Sequence, residues 1–137
     1  MTIEGDLMPD AANTPSDDRY ERGWRKLAEV DGNAGQQVIE ALKDIAPDLG
    51  RYVVEYAFGD LYSRPGLDLR SREIATVAAL TAMGNAAPQL KVRIQAALHV
   101  GVSKEEIVEV ILQMSAYAGF PAALNAIAIA REVFGNS

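Results

Sequence analysis

The segment over residues 67–101 constrains the fold most, because it holds two helical patterns separated only by Gly84 and Asn85. Before this break, one helical face is marked by side chains at the i, i+3, i+4 and i+7 spacing: Ile74, Val77, Ala78 and Thr81. Glycine readily takes the left-handed conformation that ends a helix, so the first helix should end at Gly84. Two helices joined by so short a connection fold back on each other. The segment therefore predicts a central antiparallel helix pair.

The ends of these two helices carry recognisable signals. Asp68 offers a side-chain acceptor at the expected N-cap of the first helix. Pro88 fits the first turn of the second helix, and Gly101 follows its end. The pair is therefore expected to begin just after Asp68 and to end just before Gly101.

Two ionisable residues, Glu73 and Arg93, stand in this pair where apolar side chains are expected. Glu73 lies one turn before Val77, and Arg93 lies between Leu90 and Ala97 on its helix. Burying either charge alone is unfavourable by several kcal/mol, so each is expected to have a partner or a wet pocket. A functional site is therefore to be sought first at these two residues.

The segments before the pair also show helical patterns, over residues 16–30, 35–45 and 47–61, with Ser16 as a candidate N-cap of the first. The second pattern places these residues on one face: Val38, Ala41, Leu42 and Ile45. The third runs through these residues: Leu49, Val53, Tyr56, Ala57 and Leu61.

Two further helices are expected after the pair. Ser103 and Glu106 have the spacing of a capping box, in which serine and glutamate side chains each accept from a backbone amide of the first turn. The final helix is expected to bury these residues: Leu124, Ile127, Ala130 or Arg131, and Phe134. No segment sustains the alternation of a strand, so the chain is predicted to be all-α, one domain of about seven helices over residues 16–137. Residues 1–15 are expected to form an acidic, mobile leader.

Composition excludes several classes of function. The chain has no cysteine and one histidine, which rules out thiol redox chemistry and a metal site built on two or three histidines of one chain. Of the net charge of −6, five negative charges lie in residues 1–18, so the rest is nearly neutral and no nucleic-acid partner is expected. The chain has no run of eighteen apolar residues and an acidic N-terminus, so no membrane association is expected and the cytoplasm is the default location. No cofactor or metal is predicted.

The sequence resembles the carboxymuconolactone decarboxylase family over residues 18–134. The resemblance is carried by short motifs spread along the chain: residues 19–23, residues 55–60, residues 64–68, Ala97-Leu98, Gly101-Val102, residues 105–107, Glu109-Val110, Gln113 and residues 116–123. It implies an all-helical protomer with the alkylhydroperoxidase D-like fold, assembled as a homo-oligomer, often a trimer or a hexamer. It also implies a cofactor-free lyase that acts on a small carboxylated or lactone-type molecule, as in the breakdown of aromatic compounds.

The family's chemistry transfers only in part. Its decarboxylases carry a histidine in a Glu-Leu-x-x-His pattern, and the resemblance places Gln89 and Arg93 at the glutamate and histidine positions. Its peroxidase branch uses a Cys-x-x-Cys that this chain lacks. Glu73 matches an acidic residue that many relatives have. Arginine holds its proton near neutral pH, so Arg93 cannot replace histidine as an acid or base.

Each candidate residue keeps a structural alternative. Glu73 is the catalytic candidate, as a general acid or base, or else a first-turn glutamate paired with Arg70 or Arg72. Arg93 is a substrate-binding candidate for a carboxylate or lactone carbonyl, or else half of an ion pair that serves assembly. His99 is expected on the polar face near the end of its helix.

Tyr56 and Tyr117 are further substrate-binding candidates, or else core tyrosines. The function predicted first is a decarboxylase that binds a small-molecule substrate. The alternatives are a family member without that reaction, serving as a binding or assembly protein, and a related hydrolase, cyclase or isomerase.

Overall fold

The computed structural model describes the backbone of residues 15–135 and the side chains of residues 18–135. All regular structure in those residues is helical, which confirms the all-α prediction. The seven α-helices, with a π-helical segment that continues α3, are α1 (Pro15–Asp31), α2 (Asn33–Ala41), α3 (Pro47–Tyr52, then the π segment Val53–Leu61), α4 (Leu69–Met83), α5 (Ala87–His99), α6 (Lys104–Ala118) and α7 (Phe120–Gly135).

The chain forms two compact units that meet in sequence at Pro65 and Gly66. The predicted leader lies outside the described residues except for Pro15, which begins α1. Ser16 therefore lies inside that helix rather than before it, and the prediction of Ser16 as the N-cap is wrong. Within the described residues, no helix is long and apolar enough to cross a membrane.

In the first unit, α1 packs against the π segment at glycine contacts that leave no room for a side chain. A Cβ on Gly23 would lie 1.9 Å from the Val54 carbonyl oxygen, and a Cβ on Gly59 would lie 2.7 Å from the Arg19 carbonyl oxygen. Arg19 also binds Asp60 through both carboxylate oxygens, with its Nη2 2.7 Å from Oδ2. Two of the motifs that carry the family resemblance, residues 19–23 and 55–60, therefore hold α1 and the π segment together.

The third helix differs from the sequence prediction over residues 53–61. In a π-helix each hydrogen bond spans five residues instead of four, so the buried face advances differently along the chain. The buried residues are Val54, Glu55, Phe58 and Gly59, whereas the predicted face included Tyr56 and Leu61, which are exposed. The prediction used the α-helical period and is wrong for this reason.

The second helix ends at Ala41 and not at Ile45. Beyond Ala41 the backbone makes shorter-range bonds, such as Ile45 N–H to the Leu42 carbonyl oxygen at 3.3 Å, which are typical of turns. Ile39 is the buried apolar residue, whereas Val38 and Ile45 are exposed. The predicted face is therefore one position off.

In the second unit, helices α4 to α7 pack around one apolar core. The expected signals are confirmed at both ends of α4: Asp68 Oδ1 accepts from the Ser71 amide at 2.8 Å, and Gly84 is left-handed, with φ of 77°. The capping box at the start of α6 is also confirmed, because both reciprocal bonds between Ser103 and Glu106 form.

The buried face of α7 is displaced from the predicted one. Its buried residues are Ala123, Ala126, Ala130 and Val133. Ile127 and Phe134 pack against the core only in part, and Leu124 is exposed. Small alanines at the centre of this face let α7 approach its neighbours closely, and a pattern search that favours large apolar residues misses them.

Candidate functional site

Glu73 lies on the buried face of α4, one turn before Val77. Its side chain is completely buried, with an exposed fraction of 0%. A carboxylate at such a position is unfavourable unless charged or polar groups surround it. Packing alone therefore does not explain why a glutamate occupies this position in the core of the second unit.

Arg93 on α5 is the partner that the structure brings to Glu73. Arg93 Nη1 lies 3.5 Å from Glu73 Oε2, at the outer limit for a hydrogen bond. The sequence predicted that each charge would have a partner or a pocket, and here the two are in contact.

The two charges differ in depth. The Arg93 side chain is 14% exposed and Glu73 is fully covered, so a small molecule arriving from solvent meets the guanidinium first. The guanidinium presents fixed donors that suit a carboxylate or a carbonyl oxygen. The arrangement can bind an anionic or polar group at Arg93 and keep a carboxyl group close behind it.

The nearby arginines of α4 have other partners. Arg70 forms an ion pair with Glu106, and Arg72 Nε donates to the Leu67 carbonyl oxygen at 3.0 Å. The alternative that pairs Glu73 with Arg70 is therefore wrong. His99 is exposed in the last turn of α5, as predicted.

The two tyrosine candidates do not lie in a core. Tyr56 is 59% exposed and Tyr117 is 81% exposed. The alternative that made them core residues is wrong, because the π segment turns Tyr56 outward and Tyr117 stands on the outer face of α6. A role in substrate binding stays a prediction for both.

A second buried carboxylate, Glu55, was not singled out from the sequence. Its side chain is 5% exposed and lies in the π segment, 3.4 Å from Arg51 Nη1 and 3.7 Å from Arg19 Nη1. The sequence signal was present, since Glu55 interrupts an apolar run and Arg51 stands one helical turn before it. Because Arg51 and Arg19 also bind Asp48 and Asp60, we assign Glu55 to the ion-pair network of the first unit.

No group of three or more potential metal ligands occurs among residues 18–135.

The family model for carboxymuconolactone decarboxylases matches residues 47–132, which is more than half of the chain. The chain belongs to this family. The match includes Glu73 and Arg93 as well as both tyrosine candidates.

Three relatives show how far the similarity extends. A 4-carboxymuconolactone decarboxylase from Acinetobacter baylyi is 37% identical over 117 residues, which cover 85% of this chain and 87% of that protein. An uncharacterised 15.0 kDa protein from Paracoccus denitrificans is 37% identical over 97 residues, 70% of this chain and 72% of its own. A nitrosuccinic acid decarboxylase from Metarhizium robertsii is 26% identical over 134 residues, 95% of this chain and 92% of its own. Two of the three relatives are thus named as decarboxylases.

Proposed function

We propose that this protein is a cofactor-free decarboxylase for a small molecule that carries a carboxylate and an electron-withdrawing group. The observation that carries the proposal is the buried Glu73 carboxyl in contact with the more accessible Arg93 guanidinium. Family membership supports it, since both relatives with a named activity are decarboxylases.

The chemistry of those two names narrows the substrate class. One substrate is a lactone that carries a carboxyl group, and the other is a nitro derivative of a dicarboxylic acid. In each, the lactone carbonyl or the nitro group can accept an electron pair. We propose the same class for this chain: a carboxylate on a carbon conjugated with such a group.

Each residue then has a distinct role. Arg93 binds the electron-withdrawing group or a second carboxylate, rather than the leaving carboxylate, because pairing the leaving group would stabilise the ground state and oppose the reaction. The bond between the carboxylate carbon and its neighbour breaks, carbon dioxide leaves, and the electron pair moves to the carbonyl or nitro oxygens near Arg93. Once an anionic or carbonyl group of the substrate occupies the Arg93 guanidinium, the buried Glu73 carboxylate loses its countercharge and takes up a proton from water. Glu73 then gives this proton to the carbon.

The contact between Arg93 and Glu73 also fits a second function. A mutually satisfied pair needs no substrate, so a family member that binds a small molecule without decarboxylating it, or serves in assembly, could keep both residues. A hydrolase, cyclase or isomerase is a further alternative, in which the same pair acts on a different bond of the substrate.

Location in the cytoplasm and a role in the catabolism of aromatic compounds stay predictions.

Carbon dioxide release from 4-carboxymuconolactone separates these functions. We expect the wild-type protein to release one carbon dioxide per molecule consumed and to leave the methyl ester of the same compound unchanged. The matched control is Glu105→Gln, which removes an exposed glutamate and should keep full activity. Consumption without carbon dioxide release would favour the hydrolase, cyclase or isomerase, and binding without consumption would favour the binding protein.

A further inference from the structure

A second guanidinium, that of Arg70, lies within reach of the Glu73 carboxylate. Arg70 is three residues before Glu73 on α4. Side chains at this spacing share one face of a helix, with their Cβ atoms about 5–6 Å apart, and opposite charges there attract each other. A free Arg70 would therefore turn toward Glu73 and add a second positive charge beside that of Arg93.

The structure engages Arg70 elsewhere, because Glu106 on α6 binds it. Arg70 Nη2 contacts Glu106 Oε2, and the two side chains are about equally exposed, at 43% and 44%. The other oxygen of the same carboxylate, Oε1, accepts from the backbone amide of Ser103 at 2.9 Å. The capping box thus fixes the carboxylate at the start of α6, and the carboxylate fixes the direction of the Arg70 side chain.

Glu106 also keeps its negative charge at neutral pH. The backbone amide of Ser103 and the guanidinium of Arg70 both hold the pKa of Glu106 below its ordinary value. An ion pair as exposed as this one contributes little to stability. Its effect on the position of the Arg70 charge therefore matters more than its effect on folding.

The remaining groups near Glu73 leave few charges to consider. Among the described residues of the second unit, the buried polar side chains are Glu73 and Thr81, both on α4, so α5, α6 and α7 add none to this core. Arg93 faces the carboxylate from α5, and Arg72 is bound by a backbone carbonyl oxygen. The positive charge close to Glu73 thus depends on Arg93 and on where Arg70 is held.

We propose that Glu106 is a positioning residue for the Glu73–Arg93 site, because it binds Arg70 and keeps that guanidinium away from Glu73. When a substrate group occupies Arg93, the Glu73 carboxylate then receives no replacement charge from Arg70 and takes up the proton that the reaction needs. A free Arg70 would favour the ionised carboxylate and suppress this uptake. The role in catalysis rests on the proposed function, whereas the effect of Arg70 on the Glu73 charge is a property of the folded chain.

Glu106→Gln is the variant that separates charge from structure. Glutamine at this position can still complete the capping box with Ser103, but it carries no charge to hold Arg70. With 4-carboxymuconolactone as substrate, kcat should fall about tenfold or more at neutral pH while KM changes little, since a pKa lower by about one unit leaves about a tenth of the acid form. Adding Arg70→Gln should restore most of the lost kcat, because no free guanidinium remains. Ser103→Ala, which weakens the cap and keeps the ion pair, is the control and should leave kcat unchanged.

A titration without substrate tests the charge relation separately from the reaction. The carboxyl carbon NMR signal of Glu73, assigned by its loss in Glu73→Gln, is followed against pH with Arg93 present and in Arg93→Met, which imitates an occupied guanidinium. In each background Glu106→Gln should lower the pKa of Glu73 by about one unit or more, and adding Arg70→Gln should reverse the shift.

The outcomes distinguish this proposal from the proposed function. The proposal is overturned if Glu106→Gln leaves the pKa of Glu73 unchanged in the background with Arg93 present, or if Arg70→Gln does not reverse its effect. An ion pair that only joins α4 to α6 predicts the second result, a double variant no better than Glu106→Gln. A wild-type protein that releases no carbon dioxide but shows the expected titrations would contradict the decarboxylase and leave the charge relation supported.

Discussion

Arg93 and Glu73 are twenty residues apart in the chain, and the turn at Gly84 brings Arg93 Nη1 to 3.5 Å from Glu73 Oε2. The pair lies in the core of the second unit, with arginine on the outer side and glutamate inside. This contact links the packing of α4 against α5 to the proposed chemistry. The two side chains neutralise each other's charge in the folded protein, and the same two side chains are proposed to act on the substrate.

The first prediction concerns the stability of this pair. Arg93→Met keeps an apolar stem and removes the charge that faces the buried carboxylate, so it should lower the free energy of unfolding by about 3–5 kcal/mol. In the double variant with Glu73→Gln, the loss should be smaller than the sum of the two single losses. Urea unfolding measures these values, and Arg131→Met, at an exposed position, should change stability by less than about 0.5 kcal/mol. Additive losses would mean that the two side chains do not interact.

The glycine contact in the first unit gives the second prediction. Gly23→Ala places a methyl group where the Val54 carbonyl oxygen lies 1.9 Å away, so α1 must move from the π segment. We expect a loss of about 3 kcal/mol or more. Gly66→Ala is the matched control, because a Cβ there meets nothing within 4 Å, and its Tm should stay within a degree or two of wild type. Equal Tm values for the two variants would contradict the packing described here.

The third prediction concerns acid. Hydrogen bonds from Arg19 hold the pKa of Asp60 below its ordinary value, and hydrogen bonds from Ser71 do the same for the pKa of Asp68. A lowered pKa means that the unfolded chain takes up protons first as the pH falls, so the stabilisation is complete well above the ordinary value of 3.8 and is lost below it. Thermal unfolding between pH 7 and pH 3 should show this loss, and Asp68→Asn should reduce it. Asp44→Asn, at an exposed position, serves as the control, and an acid response unaffected by Asp68→Asn would contradict the assignment.

The fourth prediction concerns association between copies of the chain. Four large apolar side chains of α6 and the start of α7 are exposed: Leu112 (54%), Tyr117 (81%), Phe120 (73%) and Leu124 (68%). We propose that these side chains are covered in a homo-oligomer, since exposed apolar groups of this size are unfavourable in water. Light scattering should give three or six times the 14.7 kDa chain mass.

A pair of variants tests which surface is used. Phe120→Ser with Leu124→Gln should shift the protein toward the monomer, whereas Ile45→Gln, which removes an 82% exposed apolar side chain of the first unit, should not. A wild-type monomer at micromolar concentration would rule out the homo-oligomer.

The sequence was sufficient where local chemistry decides the structure. Asp68, Gly84 and the Ser103 capping box act within one turn of their own helix, so their residue types alone located the helix ends. The placement of Glu73 and Arg93 also followed from the sequence, because a charged residue inside an apolar helical stripe needs either a partner of opposite charge or a wet pocket.

The sequence was insufficient where packing between helices decides the structure. No local sequence signal distinguishes an α-helix from the π segment over Val53–Leu61. The widened turns of this segment accompany the close approach of α1 at Gly23. They also expose Tyr56, which the sequence pattern had placed on the buried face. The buried face of α7 depends on alanines that fit between neighbours. The Thr81 hydroxyl has no hydrogen-bond partner among the described residues, and this became visible only with coordinates, because the sequence pattern indicated burial and said nothing of hydrogen bonds.

The most direct test of the central claim is a kinetic comparison of four proteins: the wild type, Glu73→Gln, Arg93→Met and the double variant. With 4-carboxymuconolactone as substrate and carbon dioxide release as the signal, Glu73→Gln should lower kcat by about a hundredfold or more and change KM little, since proton transfer contributes about that much. Arg93→Met should lower kcat/KM at least tenfold, and the double variant should be no worse than the poorer single one. If both single variants release carbon dioxide within twofold of the wild-type rate, the Glu73–Arg93 pair is structural and the reaction occurs elsewhere.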